Sequence, residues 1–178
     1  ILPYQMLGSE WLSERKRAML GDEMGTGKTV QAILAADLVF AVNVIVVCPA
    51  SVVGNWHAEV KRWRVGDWSV FVTSYEGMSG AHRDFIFSQR WSVAIFDEGR
   101  FLQTPTTKRT KAAYGDVDGG TREIPGLMDL AEYVWVLTGT PMRNNASEMF
   151  THFKALAPDR IRSKKSGKVY SFEQFTAY

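Results

Sequence analysis

Val44-Ile45-Val46-Val47-Cys48 is an unbroken apolar run of five residues closed by Pro49. Such a β-branched run without polar alternation predicts a strand buried on both faces, as in a parallel sheet. Val70-Phe71-Val72-Thr73, the run 91–96 and Val134-Val136 with Leu137 predict three more strands. Between them lie segments of helical spacing. Residues 5–19 mix apolar and charged positions, with Leu7, Trp11 and Leu12 on one stripe. Residues 28–42 form a long apolar helix, and 52–63 a further one with Ser51 as its cap. Residues 75–90 read as a helix interrupted by Gly77 and Gly80, and 107–114 as a short helix. Residues 115–126, with four glycines and a proline, read as a loop. Residues 147–157 read as a helix that stops at Pro158. This alternation of strand and helix predicts an α/β fold, a parallel β-sheet flanked by helices with right-handed crossovers. There are no internal repeats.

In such sheets ligands bind beyond the carboxyl ends of the strands. The polar clusters of this chain fall at those ends: Pro49-Ala50-Ser51, Thr73-Ser74-Tyr75, Asp97-Glu98 and Thr138-Gly139-Thr140.

Composition narrows the picture without changing it. The 178 residues, 46% hydrophobic and 22% charged, suit one domain that builds its own core. A net charge of +2 is not that of a strongly basic nucleic-acid-binding arm, so any such contact must come from local patches. The densest runs over residues 154–168, with six basic residues and one acid. The single Cys48, among apolar neighbours, reads as a buried inert thiol and suits a reducing, intracellular compartment. His57, His82 and His152 have no Cys partners at zinc spacing. Asn145-Ala146-Ser147 matches a glycosylation sequon, but nothing else looks secreted, and no apolar run reaches membrane-spanning length. The chain begins Ile1-Leu2-Pro3 and reads as a piece of something longer.

The chemistry concentrates in Asp22-Glu23-Met24-Gly25-Thr26-Gly27-Lys28-Thr29. Gly25 and Gly27 let backbone N–H groups turn toward phosphate oxygens, and the helix starting at Lys28 aims its positive end at the same anion. Lys28 can reach the β- and γ-phosphates, and the Thr29 hydroxyl can ligate Mg²⁺. The loop carries Asp22 where the strict phosphate-loop pattern has Gly. Downstream, Asp97 at a strand end can share the Mg²⁺ shell while Glu98 orients or deprotonates the attacking water. No guanine-reading Asn-Lys-x-Asp is present. Instead Tyr4-Gln5 precedes the loop by about one helix, where the amide can pair with the adenine edge and the ring can stack on the base. ATP is the expected nucleotide.

Together these pieces resemble the first RecA-like lobe of superfamily-two helicases, and more narrowly the Snf-type DNA translocase ATPases. The resemblance rests on Pro3-Tyr4-Gln5 with Gly8, Trp11 and Leu12, on residues 22–29 with Val30-Gln31-Ala32-Ile33, and on Cys48-Pro49-Ala50-Ser51 with Asn55, Trp56, Glu59 and Trp63. It continues through Thr73-Ser74-Tyr75-Glu76, Asp97-Glu98, Thr107, Lys108, Thr110 and Lys111, and Leu137-Thr138-Gly139-Thr140-Pro141 with Asn144-Asn145. It implies a RecA-like P-loop NTPase fold over residues 1–158, followed by a basic and aromatic extension, 159–178, toward a second lobe in the same longer chain. It implies that Gln5 reads adenine and that Asp22, Met24, Gly25, Thr26, Gly27, Lys28 and Thr29 hold Mg-ATP. Asp97 and Glu98 then serve metal and water, and Thr138, Gly139 and Thr140 couple nucleotide state to DNA. Pro49, Ser51, Thr73, Ser74, Lys108 and Lys111 stand where the family touches the backbone of double-stranded DNA, contacts that carry little sequence information.

Several positions depart from the family pattern. Arg100 stands where His or Gln is common, Gln103-Thr104 where Lys-Asn is usual, and Arg143 replaces a common Gln. Six residues separate Trp63 from Val70, where relatives fit an extra strand. Other motifs are bland. His82-Arg83-Asp84 is a surface turn without the partners of a kinase loop. Asp116-Val117-Asp118-Gly119 has Leu127 where a calcium loop needs Glu. Lys61-Arg62-Trp63-Arg64 reads as a solvated helix end before it reads as a DNA patch, and Trp11, Trp56 and Trp63 as core aromatics. The expected function is therefore the ATP-binding lobe of a DNA-dependent ATPase that translocates on double-stranded DNA, monomeric and without a membrane partner. The alternative is a nucleotide-dependent scaffold without efficient hydrolysis, while a small-molecule kinase lacks an acceptor site. Because an arginine finger from a second lobe is worth about 10³–10⁵ in rate, the isolated lobe is expected to bind ATP weakly and hydrolyse little.

Overall fold

A computed structural model describes residues 1–117, 125–140 and 149–161. Its centre is one sheet of five parallel strands: β1 (Arg17–Leu20), β2 (Asn43–Cys48), β3 (Ser69–Ser74), β4 (Trp91–Asp97) and β5 (Ala131–Leu137). They lie in the order β1-β5-β4-β2-β3. The apolar runs are continuous because both faces are covered. Val44, Val46 and Cys48 face one core with Val93, Ile95, Trp135 and Leu137. Ile45 and Val47 face the other with Ala94, Phe96, Val134 and Val136. Each such aliphatic side chain contributes roughly 1.5–3 kcal/mol by leaving water.

Helices α1 (Pro3–Ser13), α2 (Lys28–Leu38) and α3 (Val53–Trp63) cover the first face through Leu12, Ala32, Ile33, Trp56 and Val60. Helices α4 (Tyr75–Ser79), α5 (Arg83–Phe87), α6 (Lys108–Tyr114) and α7 (Phe150–Leu156) cover the second through Tyr75, Met78, Ile86, Tyr114 and Ala155. The order of connections is that of a doubly wound sheet. β1 leads over two positions to β2 and on to β3, and the chain then returns to β4 and β5.

The α/β class is as expected, with differences in detail. The stretch 5–19 is not one helix: α1 ends at Ser13, and Arg17–Leu20 pairs with residues 134–137 as an edge strand. The helix expected over 28–42 stops at Leu38, where the Ala41 amide turns back to the Ala36 carbonyl at 3.1 Å and Phe40 takes φ 51°. Residues 75–90 form two short helices. Ser51 lies in a 3₁₀ turn, Ala50–Val52, and does not cap α3. Trp56 is buried, but Trp63 is only partly so, and Trp11 lies 39% exposed under the Arg15 guanidinium.

The short Trp63–Val70 connection has no strand. Asp37 at the end of α2 holds it as a turn, accepting from the Val65 and Gly66 amides at 3.0 and 2.8 Å and from the Trp68 indole at 2.7 Å. Lys61 and Arg62 point into solvent at the α3 terminus that feeds the start of β3. That is the edge opposite the strand carboxyl ends, and the exposure of these side chains is that of a solvated helix end. No helix among the described residues is long and apolar enough to cross a membrane.

Candidate active site

The strand order decides which motifs meet. β1 delivers residues 21–28 to the carboxyl edge, its neighbour β5 delivers Thr138-Gly139-Thr140, and the next strand, β4, delivers Asp97-Glu98. Pro49 and Ser51 follow β2, and Thr73 and Ser74 end β3, at the other end of the same edge. Sequence places each motif at a strand end, and the sheet order divides them into two groups.

Gly25 and Gly27 take φ 82° and 76°, the left-handed region that turns successive amides inward, and Gly27 is the N-cap of α2. The Lys28 ammonium donates to the Asp22 and Glu23 carbonyls at 2.8 and 2.7 Å, so the loop closes around its own lysine. The Thr26 hydroxyl donates to Glu23 O at 2.9 Å. Met24 is exposed on the loop, and Thr29 follows Lys28 in the first turn of α2. From the β5 side, a Cβ on Gly139 would sit 2.7 Å from Met24 Cγ and 3.5 Å from Lys28 Nζ. A glycine there lets the turn lie against the phosphate loop. Thr138 is buried, its amide donates to Leu20 O at 3.0 Å, and its hydroxyl accepts from the Thr140 amide at 3.2 Å.

Asp97 accepts from the Trp56 indole at 2.8 Å and from the Glu98 amide at 2.9 Å. Burial pushes its carboxyl above the ordinary range, while these two hydrogen bonds and the Lys28 charge oppose the rise. Glu98 takes φ 52°, and its carboxylate meets Arg100 at 3.5 Å. The arginine that departs from the family pattern thus restrains this acid. Tyr75 donates its hydroxyl to the Asp97 carbonyl at 2.7 Å. Cys48 is buried and pushed up to about 12, chiefly by desolvation, so the expected inert thiol is found.

A cleft of about 600 Å³ opens between α1 and the phosphate loop, lined by Tyr4, Leu7, Trp11, Asp22, Thr26 and Gln31 among others. Tyr4 stands exposed on its lip. The Gln5 amide is engaged: it donates to Thr26 O at 3.2 Å and accepts from the Leu2 amide at 2.9 Å. Gln31, quoted in the sequence only as part of a motif, is buried and donates to Asp22 Oδ2 at 3.2 Å, while its Oε1 finds no hydrogen-bond partner. Neither this orphan acceptor nor the Trp56–Asp97 bond leaves a local sequence signal.

At the far end of the edge, the Thr73 hydroxyl pairs with His82 Nδ1 at 2.8 Å, and Ser74 caps α4 by accepting from the Gly77 amide at 3.0 Å. His82, read as part of a surface turn, is indeed exposed yet holds a strand-end threonine. Lys108 and Lys111 are exposed on α6, with Thr107 as its cap. Pro141, Arg143, Asn144, Asn145, Asp118, Gly119 and the basic run beyond Ile161 lie outside the described residues.

His152 on α7 is 2% exposed, and burial lowers its pKa to about 4. The unfolded ring titrates near 6.5, so the unfolded chain binds the extra proton first and stability falls as pH drops from about 6.5 toward 4. The loss is on the order of 3 kcal/mol. Asp97, raised in the folded state, acts with the opposite sign in acid. The check is therefore a difference: chemical denaturation between pH 7 and 4.5 shows a steeper fall for the native chain than for His152→Leu. Parallel curves would refute it.

A family profile described as the SNF2-related domain matches residues 4–67 and 64–174, two pieces that meet in the turn held by Asp37. The ATP-dependent helicase fft1 of Schizosaccharomyces pombe is 29% identical over 92% of this chain and 20% of its own length. A Caenorhabditis elegans homolog of SWI/SNF-related matrix-associated actin-dependent regulator of chromatin subfamily A-like protein 1 is 32% identical over 88% of the chain and 24% of its own length. The chain thus spans about a fifth to a quarter of these relatives. In structure it is similar to the Sulfolobus solfataricus SWI2/SNF2 ATPase core in complex with dsDNA, with TM-score 0.66 and 23% identity over 98% of this chain and 42% of that one.

Proposed function

Since the chain belongs to the SNF2-related domain family, we propose that it is the ATP-binding lobe of a DNA-dependent ATPase that translocates on double-stranded DNA. The observation that carries this reading is the convergence of Lys28, Asp97-Glu98 and the Thr138–Thr140 turn on adjacent strand ends. In this reading the base enters the cleft beside Tyr4 and Gln5, which exchanges its bonds to Leu2 and Thr26 for the adenine edge. Backbone amides of residues 22–27 and the N-terminus of α2 take the phosphates. Lys28 exchanges two carbonyls for β- and γ-phosphate oxygens.

Thr29 and Asp97 offer the hard oxygen donors that suit Mg²⁺, and a cation beside Asp97 would offset the burial that raises its pKa. Among the described residues no three His, Cys, Asp or Glu side chains converge. That suits an ion held largely by phosphate and water, which supplies charge neutralisation at the γ-phosphate. Glu98 takes the proton of the attacking water. Pro49, Ser51, Thr73, Ser74, Lys108 and Lys111 line the track for the DNA backbone, and a second RecA-like lobe in the longer chain closes on the nucleotide. Gly139, packed against Met24 and beside Lys28, gives nucleotide occupancy a direct steric route to the Thr138–Thr140 turn.

The test is ATP turnover by the full-length protein with and without double-stranded DNA. Several-fold stimulation that weakens with salt is expected, because backbone contacts release counterions. Turnover indifferent to DNA, with nucleotide-dependent DNA binding intact, would favour the scaffold reading instead.

A further inference from the structure

α7 packs against the turn that follows Glu98. The ring of His152 is buried, and its Nδ1 lies 2.9 Å from the Tyr114 hydroxyl at the end of α6. The ring also lies against the turn itself, its Cε1 3.6 Å from where a Cβ on Gly99 would project, and it bonds the Gly99 backbone in the sense that favours the protonated ring. The Gly99 group is therefore its carbonyl, accepting from the other ring nitrogen. Burial keeps the ring neutral, with one donor and one acceptor, and these two contacts use both. The preceding residue, Thr151, donates its hydroxyl to the Gln103 carbonyl at 2.6 Å. Two consecutive side chains of α7 thus hold both ends of the 3₁₀ turn Gly99–Leu102, which begins directly after Glu98.

The turn is tight on its other side as well. A Cβ on Gly99 would lie 2.5 Å from Val136 Cγ1. Glu98 itself sits at φ 52°, ψ 60°, a left-handed conformation unfavourable for a side chain with a Cβ, so its surroundings must hold it there. A buried imidazole is costly unless both nitrogens are paired, and an apolar residue would serve packing alone more cheaply. We infer that His152 is a positioning residue: by gripping the Gly99 carbonyl it holds the Glu98 backbone and so sets where the Glu98 carboxylate points. The catalytic half of this inference rests on the proposed role of Glu98, whereas the grip on the turn does not.

The experiment uses the full-length protein and two readouts, amide hydrogen exchange and steady-state ATP turnover. His152→Leu removes both ring bonds and keeps an apolar filling. It is expected to speed exchange across residues 98–103 about tenfold, leaving 91–96 unchanged, and to lower kcat about tenfold with KM for ATP unchanged. His152→Gln, with a donor and an acceptor, recovers most of both. If the leucine variant does not fold, Tyr114→Phe, which removes one hydroxyl, is read in its place with a smaller change in the same direction.

Unaltered exchange in 98–103 overturns the inference whether or not ATP is hydrolysed. Faster exchange with unchanged kcat, a joint loss of ATP affinity and kcat, or failure of the glutamine to rescue also overturns it. An unsubstituted protein without DNA-stimulated turnover would sink the functional reading, and the exchange data would still decide whether His152 holds the turn.

Discussion

Glu98→Gln is expected to slow ATP turnover by the full-length protein about 10²–10⁴-fold while nucleotide affinity stays within a few-fold. In the proposed mechanism the loop at residues 22–29, and not this side chain, holds the nucleotide. Its carboxylate is partly exposed, 25% by side-chain area, and meets Arg100 rather than Lys28. The amide keeps the size and the left-handed backbone but cannot accept a proton. Asp97 remains in place, because its partners are the Trp56 indole and the Glu98 backbone amide, which the substitution leaves intact. ATP therefore accumulates bound and uncleaved. Single-turnover hydrolysis alongside equilibrium binding of ATP separates the two quantities. A rate within threefold of the original would remove Glu98 from the reaction.

How the site could be read from sequence, and where that reading stopped, follows from the sheet. The runs that became β2, β4 and β5 are legible because parallel strands covered on both faces need apolar residues at every position. β1 is not: it has four residues, alternates half-exposed Arg17 and Met19 with buried Ala18 and Leu20, and continues a charged stretch from α1. The end of α2 is hidden because Val39, Phe40 and Val42 prolong its apolar pattern through an exposed turn.

Phosphate loop and acidic pair are legible because each occupies consecutive residues at one strand end. What links them is not. Trp56 reads correctly as a core aromatic, yet its indole reaches Asp97 across 41 residues. His152 meets Tyr114 across 38. Trp11 has the spacing of a core residue but faces the cleft lip, since spacing identifies a stripe and not what covers it. Long-range side-chain pairs leave no periodicity, so only the fold brings them into view.

Lys28→Ala is expected to impair binding and chemistry together. Loss of the ammonium is expected to weaken ATP binding at least several-fold and to lower kcat/KM about 10²–10³-fold, the scale for removing one preorganised charge donor at a reacting centre. That ammonium bridges the Asp22 and Glu23 carbonyls, so the alanine variant also leaves two loop acceptors facing each other without a donor. Local loosening of residues 22–27 follows, readable as faster amide exchange there, while the global unfolding midpoint shifts little because the loop is largely exposed.

Lys28→Arg does not rescue. A compact ammonium fits beside the Gly139 turn, 3.5 Å from where a Cβ would project, and a planar guanidinium needs more room in that direction. Lys28→Ala should thus depress both affinity and rate, where Glu98→Gln depresses rate alone. Isothermal titration with ATP and turnover assays on the two variants in parallel distinguish these patterns. If Lys28→Ala bound ATP normally and lost only rate, the loop would not be the proposed phosphate site.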